Sequence, residues 1–390
     1  MPVDAALPMK AFARRIAIAA GGTAGHINPG LAFAEAYRAA QPDVELLFIG
    51  TAQGLESRLI TETSYRLQMI PGRPFYGITP KSWLRATAAL AAGIVRARRW
   101  LRDQRIDLVV GFGGYASAGA VLAAGSLGVP CAIHEGNGRP GRANRLLGYV
   151  VDRVYLSFPV AARAFPADKT YVVGTPVSSR LRCIGETRVA PQNSGRSVHL
   201  LVTGGTLGSA LLNRALPEVV ALMSKGGVEL SVRHQVGDVS RVPWAQQDAR
   251  FAAGDVDQVR AAYAAAGVSA SVVPFIEDMT DAYAWADVAV SCAGATLAEL
   301  AASALPSIIV PMSAAADDHQ RFNAEAFAEL TGLWWCTEAD WKTDVVAMHL
   351  SKLCTDEKLW KETSQRLLRN ASMAASEIVA DCEAWLASRS

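Results

Sequence analysis

The chain has 390 residues, 51% hydrophobic and 19% charged, with 38 basic against 36 acidic side chains. At about 150 residues per domain, that length predicts two or three domains with sizeable cores. The near-balanced charge excludes a general nucleic-acid coat, and low charge with high hydrophobicity excludes a largely disordered chain.

In chain order, the apolar run 15–20 ends at Gly21-Gly22 and predicts a buried strand. It is too short for the apolar stretch of a signal peptide. A small-residue helix is expected over 29–40, then strands over 44–49, 107–111, 131–134, 153–156 and 171–173. Segment 108–133 is uncharged and long enough to span a bilayer. Its glycines and Pro130 predict strand, glycine turn, helix and strand instead. After the polar stretch 191–196 the pattern restarts. Strand 198–203 and helix 207–222 precede strands near 229–234, 271–273, 288–291 and 307–310, and 350–390 reads as helical. Strands alternating with helices predict parallel βαβ units. Cys131, Cys183, Cys292, Cys336, Cys354 and Cys382 form no CxxC and read as reduced, mostly buried thiols. A soluble, cytoplasmic protein is expected.

Ala20-Gly21-Gly-Thr-Ala-Gly25 and Thr203-Gly204-Gly-Thr-Leu-Gly208 repeat one strand–GGTxG–helix pattern 183 residues apart. Two similar doubly wound α/β domains would produce this echo, with ligands at the carboxyl ends of their strands. The expected division is 1–177 and 178–355, with helices of 356–390 packing back on the first domain. Glycine turns ahead of helices let backbone N–H groups meet an anion. Neither is a Walker A loop, since no GK[ST] follows. Gly111-Phe-Gly113-Gly-Tyr-Ala116, with Glu135 beyond it, grazes a dinucleotide fingerprint, but packing glycines are the simpler reading and no cofactor is expected. Asp255-Val-Asp257 is formally a metal-holding DxD. A helix N-cap with a first-turn acid is simpler, and no metal is expected.

Further motifs accumulate in a fixed order. They are Gly21-Gly-Thr-Ala-Gly-His26-Ile-Asn-Pro29-Gly30, Val110-Gly-Phe-Gly113-Gly-Tyr115, His134-Glu-Gly-Asn137, Gly174-Thr-Pro-Val177 and Gly204-Gly-Thr206-Leu-Gly208. Phe275-Ile276-Glu-Asp-Met279, Ser291-Cys-Ala-Gly294-Ala-Thr296-Leu-Ala-Glu299-Leu300 and Asp318-His-Gln320-Arg-Phe-Asn323-Ala324 follow. In this order the chain resembles the MurG family, transferases of glycosyltransferase family 28 with the GT-B fold, over about residues 14–380.

The resemblance implies an inverting, metal-independent transfer. N-acetylglucosamine moves from UDP-N-acetylglucosamine to the C4 hydroxyl of lipid I, the undecaprenyl-pyrophosphoryl-MurNAc-pentapeptide, giving lipid II for peptidoglycan. It implies that Ile276 meets the uracil and Glu299 the ribose. Thr206, Ala295 and Thr296 then lie near the diphosphate, with Ser178 at the family's arginine position. Gln320 and Asn137 read the sugar, and Thr23, Ala24 and Gly25 bind the donor from the facing loop. His26 is either the base or a phosphate contact; His134 reads as structural. Several positions depart from the family pattern. Ser178 stands for an arginine, with Arg180 the candidate replacement. Leu207 stands for a glutamine, Cys292 for an arginine, and Arg139 and Arg142 for often apolar residues. A different acceptor or donor, or a catalytically weak scaffold, therefore remain as alternatives.

Residues 81–105 carry seven basic groups and one acid. Leu90, Ile94, Ala97 and Leu101 form one helical stripe. Phe75, Tyr76 and Trp83 beside Arg96, Arg99 and Arg102 fit docking on anionic lipid, against an ordinary helix whose stripe is core. The resemblance implies a peripheral protein on the cytoplasmic face of the inner membrane, with no nucleic-acid partner.

Overall fold

A computed structural model describes residues 14–52, 54–73, 80–191, 197–242, 246, 254–313 and 315–389. The apolar runs form two sheets whose strands all pair in parallel. The first comprises β1 (Arg15–Ala20), β2 (Glu45–Gly50), β3 (Arg66–Met69), β4 (Leu108–Gly113), β5 (Cys131–Glu135), β6 (Arg153–Leu156) and β7 (Thr170–Val172). Its order is β3-β2-β1-β4-β5-β6-β7. The second comprises β8 (Val198–Thr203), β9 (Leu230–Gln235), β10 (Ser269–Val273), β11 (Val288–Ser291) and β12 (Ser307–Ile309), in the order β10-β9-β8-β11-β12.

Strand β1 shows why these runs are apolar throughout. Ile16 and Ile18 pack with α1 (Ala24–Ala40) and α14 (Ala374–Ala387) on one side. Ala17 and Ala19 pack on the other with α3 (Pro80–Asp103) and α4 (Gly114–Leu127). Helices cover both faces, so neither register position can be polar. Each fully buried isoleucine contributes about 1.5–3 kcal/mol.

Three local differences matter. Helix α1 begins at Ala24, not at 29, and runs through Pro29. Proline lacks the N–H that would bond the carbonyl four residues back, yet the remaining turns carry the helix up to the glycine loop. Helix α7 (Ala210–Lys225) starts later than 207, because Gly208 turns at φ +76° and Ser209 caps the helix through Leu212 N–H (3.3 Å). Strand β3 was not expected. Its sequence, Arg-Leu-Gln-Met, lacks an apolar run because it lies at the sheet edge.

After α12 (Thr343–Thr355), the C-terminal segment divides between the sheets. Helix α13 (Glu357–Asn370) buries Trp360 in the second domain, where its indole N–H donates to Asp287 O at 2.8 Å. The chain then crosses at Ala371-Ser372-Met373. Helix α14 seals the first core with Ile378, Val379 and Cys382, and Tyr155 donates to Asp381 at 2.6 Å. Among the described residues no helix is long and apolar enough to cross a membrane.

Candidate functional site

The loops following β1, β4, β5, β8 and β11 meet between the sheets. The β1 loop turns sharply into α1. The backbone N–H groups of Thr23, Ala24 and Gly25 head that helix, where its dipole is positive. Gly25 faces the second domain, since a Cβ built there would lie 3.4 Å from the Ala295 Cβ. His26 bonds through Nδ1 to Gly21 O at 3.1 Å. Its ring lies against Gly113, at φ +106°, where any Cβ would come within 2.6 Å of the imidazole. A Cβ at Gly114 would strike the Gly21 carbonyl. The apparent dinucleotide fingerprint is therefore a packing device that lets two loops touch. Burial lowers the proton affinity of His26; the Gly21 bond and the Glu135 charge oppose this.

Two buried carboxylates shape these loops, Glu56, which no motif marked, and Glu135, which the sequence offered only as the acid of a dinucleotide fingerprint. Glu56 opens the short helix α2 (Glu56–Leu59) and is fully buried. It accepts from Gly22 N (2.9 Å), Thr51 N (2.8 Å) and Thr51 Oγ1 (2.8 Å). Glu135 ends β5. It accepts from Asn137 N (2.9 Å), Asn137 Nδ2 (2.8 Å), Gly141 N (3.0 Å) and Asn144 Nδ2 (3.0 Å). The sequence signal for both is an acid inside an apolar or glycine-rich setting.

Asn137 is thereby aimed across the cleft. Its Oδ1 accepts from Asn323 Nδ2 (3.2 Å), while Asn323 Oδ1 accepts from Gly138 N (2.8 Å). Asn323 also donates to Ala293 O at 3.0 Å and is buried. It lies on α11 (His319–Thr331), one turn beyond Gln320. Gln320 Oε1 accepts from Ala293 N (3.1 Å) and Met312 N (2.9 Å), and among the described residues its amide nitrogen has no hydrogen-bond partner.

Glu299 stands on α10 (Thr296–Ala302) with each oxygen engaged. Tyr283, buried on α9 (Met279–Trp285), donates to Oε2 at 2.8 Å. Asn28 of α1 donates to Oε1 across the cleft at 3.3 Å. Burial pushes the Glu299 carboxyl up; the Tyr283 and Asn28 bonds pull it down. Thr296 Oγ1 donates to Cys292 O at 3.0 Å, and burial raises the Cys292 thiol to about 11.

The second glycine loop is tied by Gln235, the last residue of β9. Its Nε2 donates to Gly205 O (2.7 Å), and its Oε1 accepts from Ile276 N (2.8 Å). Thr206 is fixed through its carbonyl, which accepts from Asp238 N at 2.9 Å. The N–H of Ile276 is engaged by Gln235. Leu207 packs with the first-domain core beside Val242.

Other expected positions lie elsewhere. Ser178 Oγ donates to Glu35 Oε2 (3.2 Å) and Ser179 Oγ to Glu35 Oε1 (2.5 Å). Glu35 is ten residues along α1 from Gly25, roughly 15 Å of helix. The structure thus sets Ser178 on a carboxylate, away from the loops, and leaves Arg180 exposed. Asp255 caps α8 (Val256–Ala265) by accepting from Asp257 N and Gln258 N, both at 3.0 Å. His134, held near 4 by burial, meets Gly174 O at 2.9 Å and braces the interdomain turn. Phe75 and Tyr76 lie outside the described residues. Ala97 and Leu101 of α3 are core, whereas Trp83, Arg96, Arg99 and Arg102 are exposed.

Comparison with known proteins places this geometry. The N-terminal domain of glycosyltransferase family 28 matches residues 16–156, and its C-terminal domain matches 199–379. A UDP-N-acetylglucosamine–N-acetylmuramyl-(pentapeptide) pyrophosphoryl-undecaprenol N-acetylglucosamine transferase from Geotalea daltonii is 35% identical, covering 94% of this chain and 96% of that one. A transferase of the same name from Geobacter metallireducens is 35% identical over 94% of this chain and 97% of its own length. The crystal structure of Acinetobacter baumannii MurG superposes with a TM-score of 0.69 at 28% identity, covering 94% and 98% of the two chains. The family models match both halves, the relatives align over 94% of the chain, and the chain belongs to glycosyltransferase family 28.

Proposed function

We propose that the protein transfers N-acetylglucosamine from UDP-N-acetylglucosamine to the C4 hydroxyl of lipid I, giving lipid II in peptidoglycan synthesis. The observation that carries this reading is the near end-to-end match to transferases named for that reaction.

The donor lies on the second domain. The Ile276 carbonyl meets the uracil edge, and the ribose hydroxyls take the place on Glu299 that Asn28 holds here. Thr206, Ala295 and Thr296 border the diphosphate at helix starts, and Gln320 and Asn137 read the sugar hydroxyls. The acceptor hydroxyl loses its proton to His26 Nε2 as its oxygen bonds C1. The bond from C1 to the diphosphate oxygen breaks, and its electron pair leaves with UDP. Oriented dipoles stabilise that leaving group, and transfer proceeds in EDTA.

The exposed face of α3 lies on the anionic cytoplasmic membrane surface, where basic side chains contribute roughly 1 kcal/mol each. Triple Arg96→Glu, Arg99→Glu, Arg102→Glu should release the protein from anionic vesicles while sparing turnover of a soluble acceptor. Equal loss on both would place those arginines in the fold or the site.

The deciding experiment is transfer of radiolabelled N-acetylglucosamine to a lipid I analogue, with UDP-glucose and UDP-N-acetylgalactosamine as competitors. Labelled lipid II, undiminished by either competitor, is expected. UDP-sugar binding without turnover on lipid I would assign the chain another acceptor.

A further inference from the structure

We propose that Glu56 is a positioning residue for the transfer: through the one peptide group joining Gly21 to Gly22, it orients His26 and supports the proton that His26 receives. This rests on the reading of His26 as the base.

The chain of bonds is continuous. Glu56 Oε2 accepts from Gly22 N–H at 2.9 Å, and Gly21 C=O meets His26 Nδ1 at 3.1 Å. That N–H and that C=O are the two ends of a single planar, conjugated amide. An N–H donating to a carboxylate polarises its amide, and the carbonyl becomes a stronger acceptor. A carbonyl can only accept, so Nδ1 must carry the hydrogen, and Nε2 keeps its lone pair. Among the described residues Nε2 has no hydrogen-bond partner. When the hydroxyl proton reaches Nε2 the ring becomes a cation, and its Nδ1–H remains bonded to the peptide whose far end faces the carboxylate. Glu56 itself exchanges no proton.

A carboxylate is an expensive choice for merely holding a loop, because desolvating it costs several kcal/mol. Here the surroundings are built to receive it. Cβ atoms placed on Gly21 or Gly50 would each come within 2.6 Å of its side chain, and one on Gly54 would collide with Oε2. The groups facing His26 act in both directions. Burial, the largest effect, lowers its proton affinity, as does His319 on α11; the Gly21 bond, Glu135 on β5 and, least of these, Glu56 on α2 raise it, and His134 lies close by. Removing the Glu56 charge therefore makes His26 a weaker base.

The test begins with the unmodified protein. With carbonyl-13C and amide-15N glycine, only the four Gly-Gly peptides, at 21–22, 113–114, 204–205 and 226–227, give a correlated signal. The Gly21–Gly22 signal should shift with pH at the same midpoint as the His26 ring, and His26→Gln should abolish that shift. A Gly22 amide that ignores His26 titration overturns the proposal. No substrate is needed, so this result stands apart from whether lipid I is the acceptor.

In turnover, Glu56→Gln should lower kcat about tenfold or more, with donor KM within about twofold, as expected when proton transfer is weakened. The acid limb of the kcat profile should move to lower pH. Reduced kcat with an unmoved limb would make Glu56 a loop support only and overturn the proposal. Should Glu56→Gln fail to fold, the measurement on the unmodified protein decides alone.

Discussion

The two GGTxG loops share a sequence and differ in what stands behind them. Behind the first is Glu56, a buried carboxylate bonded to Gly22 N–H. Behind the second is Gln235, a neutral amide bonded to Gly205 O. The first runs straight into α1 and carries His26; the second keeps a longer turn before α7 and ties itself to Ile276. A negative charge behind a diphosphate would oppose it, whereas a neutral amide would not. The same charge behind an imidazole stabilises its protonated form. On the function proposed above, one motif serves two chemistries, and the supporting residue on a neighbouring element distinguishes them.

The largest break in that comparison should come at the imidazole. His26→Gln should lower kcat by about 10²–10⁴, the usual contribution of a positioned base. UDP affinity by calorimetry should hold if the second domain grips the donor, as proposed. Parallel loss of UDP binding would make His26 a phosphate contact. Glu299→Ala is next. Losing charge-assisted bonds worth about 1.5–3 kcal/mol each should weaken UDP at least tenfold. The loss should shrink for 2′,3′-dideoxy-UDP; an equal loss would remove Glu299 from the ribose.

Gln235→Glu would give the second loop the first loop's support. The new carboxylate cannot donate to Gly205 O, and a buried carbonyl left unpaired costs about 1–3 kcal/mol. UDP should weaken about tenfold and uridine less, since only UDP brings a diphosphate near the added charge. Equal weakening of both would place the diphosphate away from this loop.

The paired architecture was legible because the buried parts of β1 and β8 are covered on both faces and so are apolar in consecutive residues, Ile16–Ala20 and Leu200–Val202. The edge strand β3 was not, since its pairing is set by β2 and not by its own residues. In the site, Asn137 stands on the loop after β5 and Gln320 and Glu299 in the first turns of helices, and the family resemblance marked them in the sequence. Their supports were hidden. Glu56, Gln235 and Asn28 act through hydrogen bonds to residues 34, 30 and 271 positions away, which no local pattern encodes. The DxD reading dissolved because Asp255 caps its own helix, a purely local effect.

The smallest expected effect concerns the interdomain turn. If the diphosphate is gripped by the second loop and the facing helix start alone, restoring an arginine at Ser178 should gain little. Ser178 and Ser179 already bond the Glu35 carboxylate on α1. A guanidinium introduced by Ser178→Arg would meet that carboxylate before any phosphate, and an exposed pair of this kind contributes about 0–1 kcal/mol. UDP affinity should therefore stay within about twofold of the parent value, and Arg180→Ala should be equally silent. An increase of about fivefold or more, roughly 1 kcal/mol, would mean that the turn reaches the diphosphate when the donor binds. The double variant Ser178→Arg, Glu35→Gln separates the cases. With the competing carboxylate neutralised, a gain in UDP over uridine would show a phosphate within reach of residue 178, and no gain would leave the diphosphate to the loops.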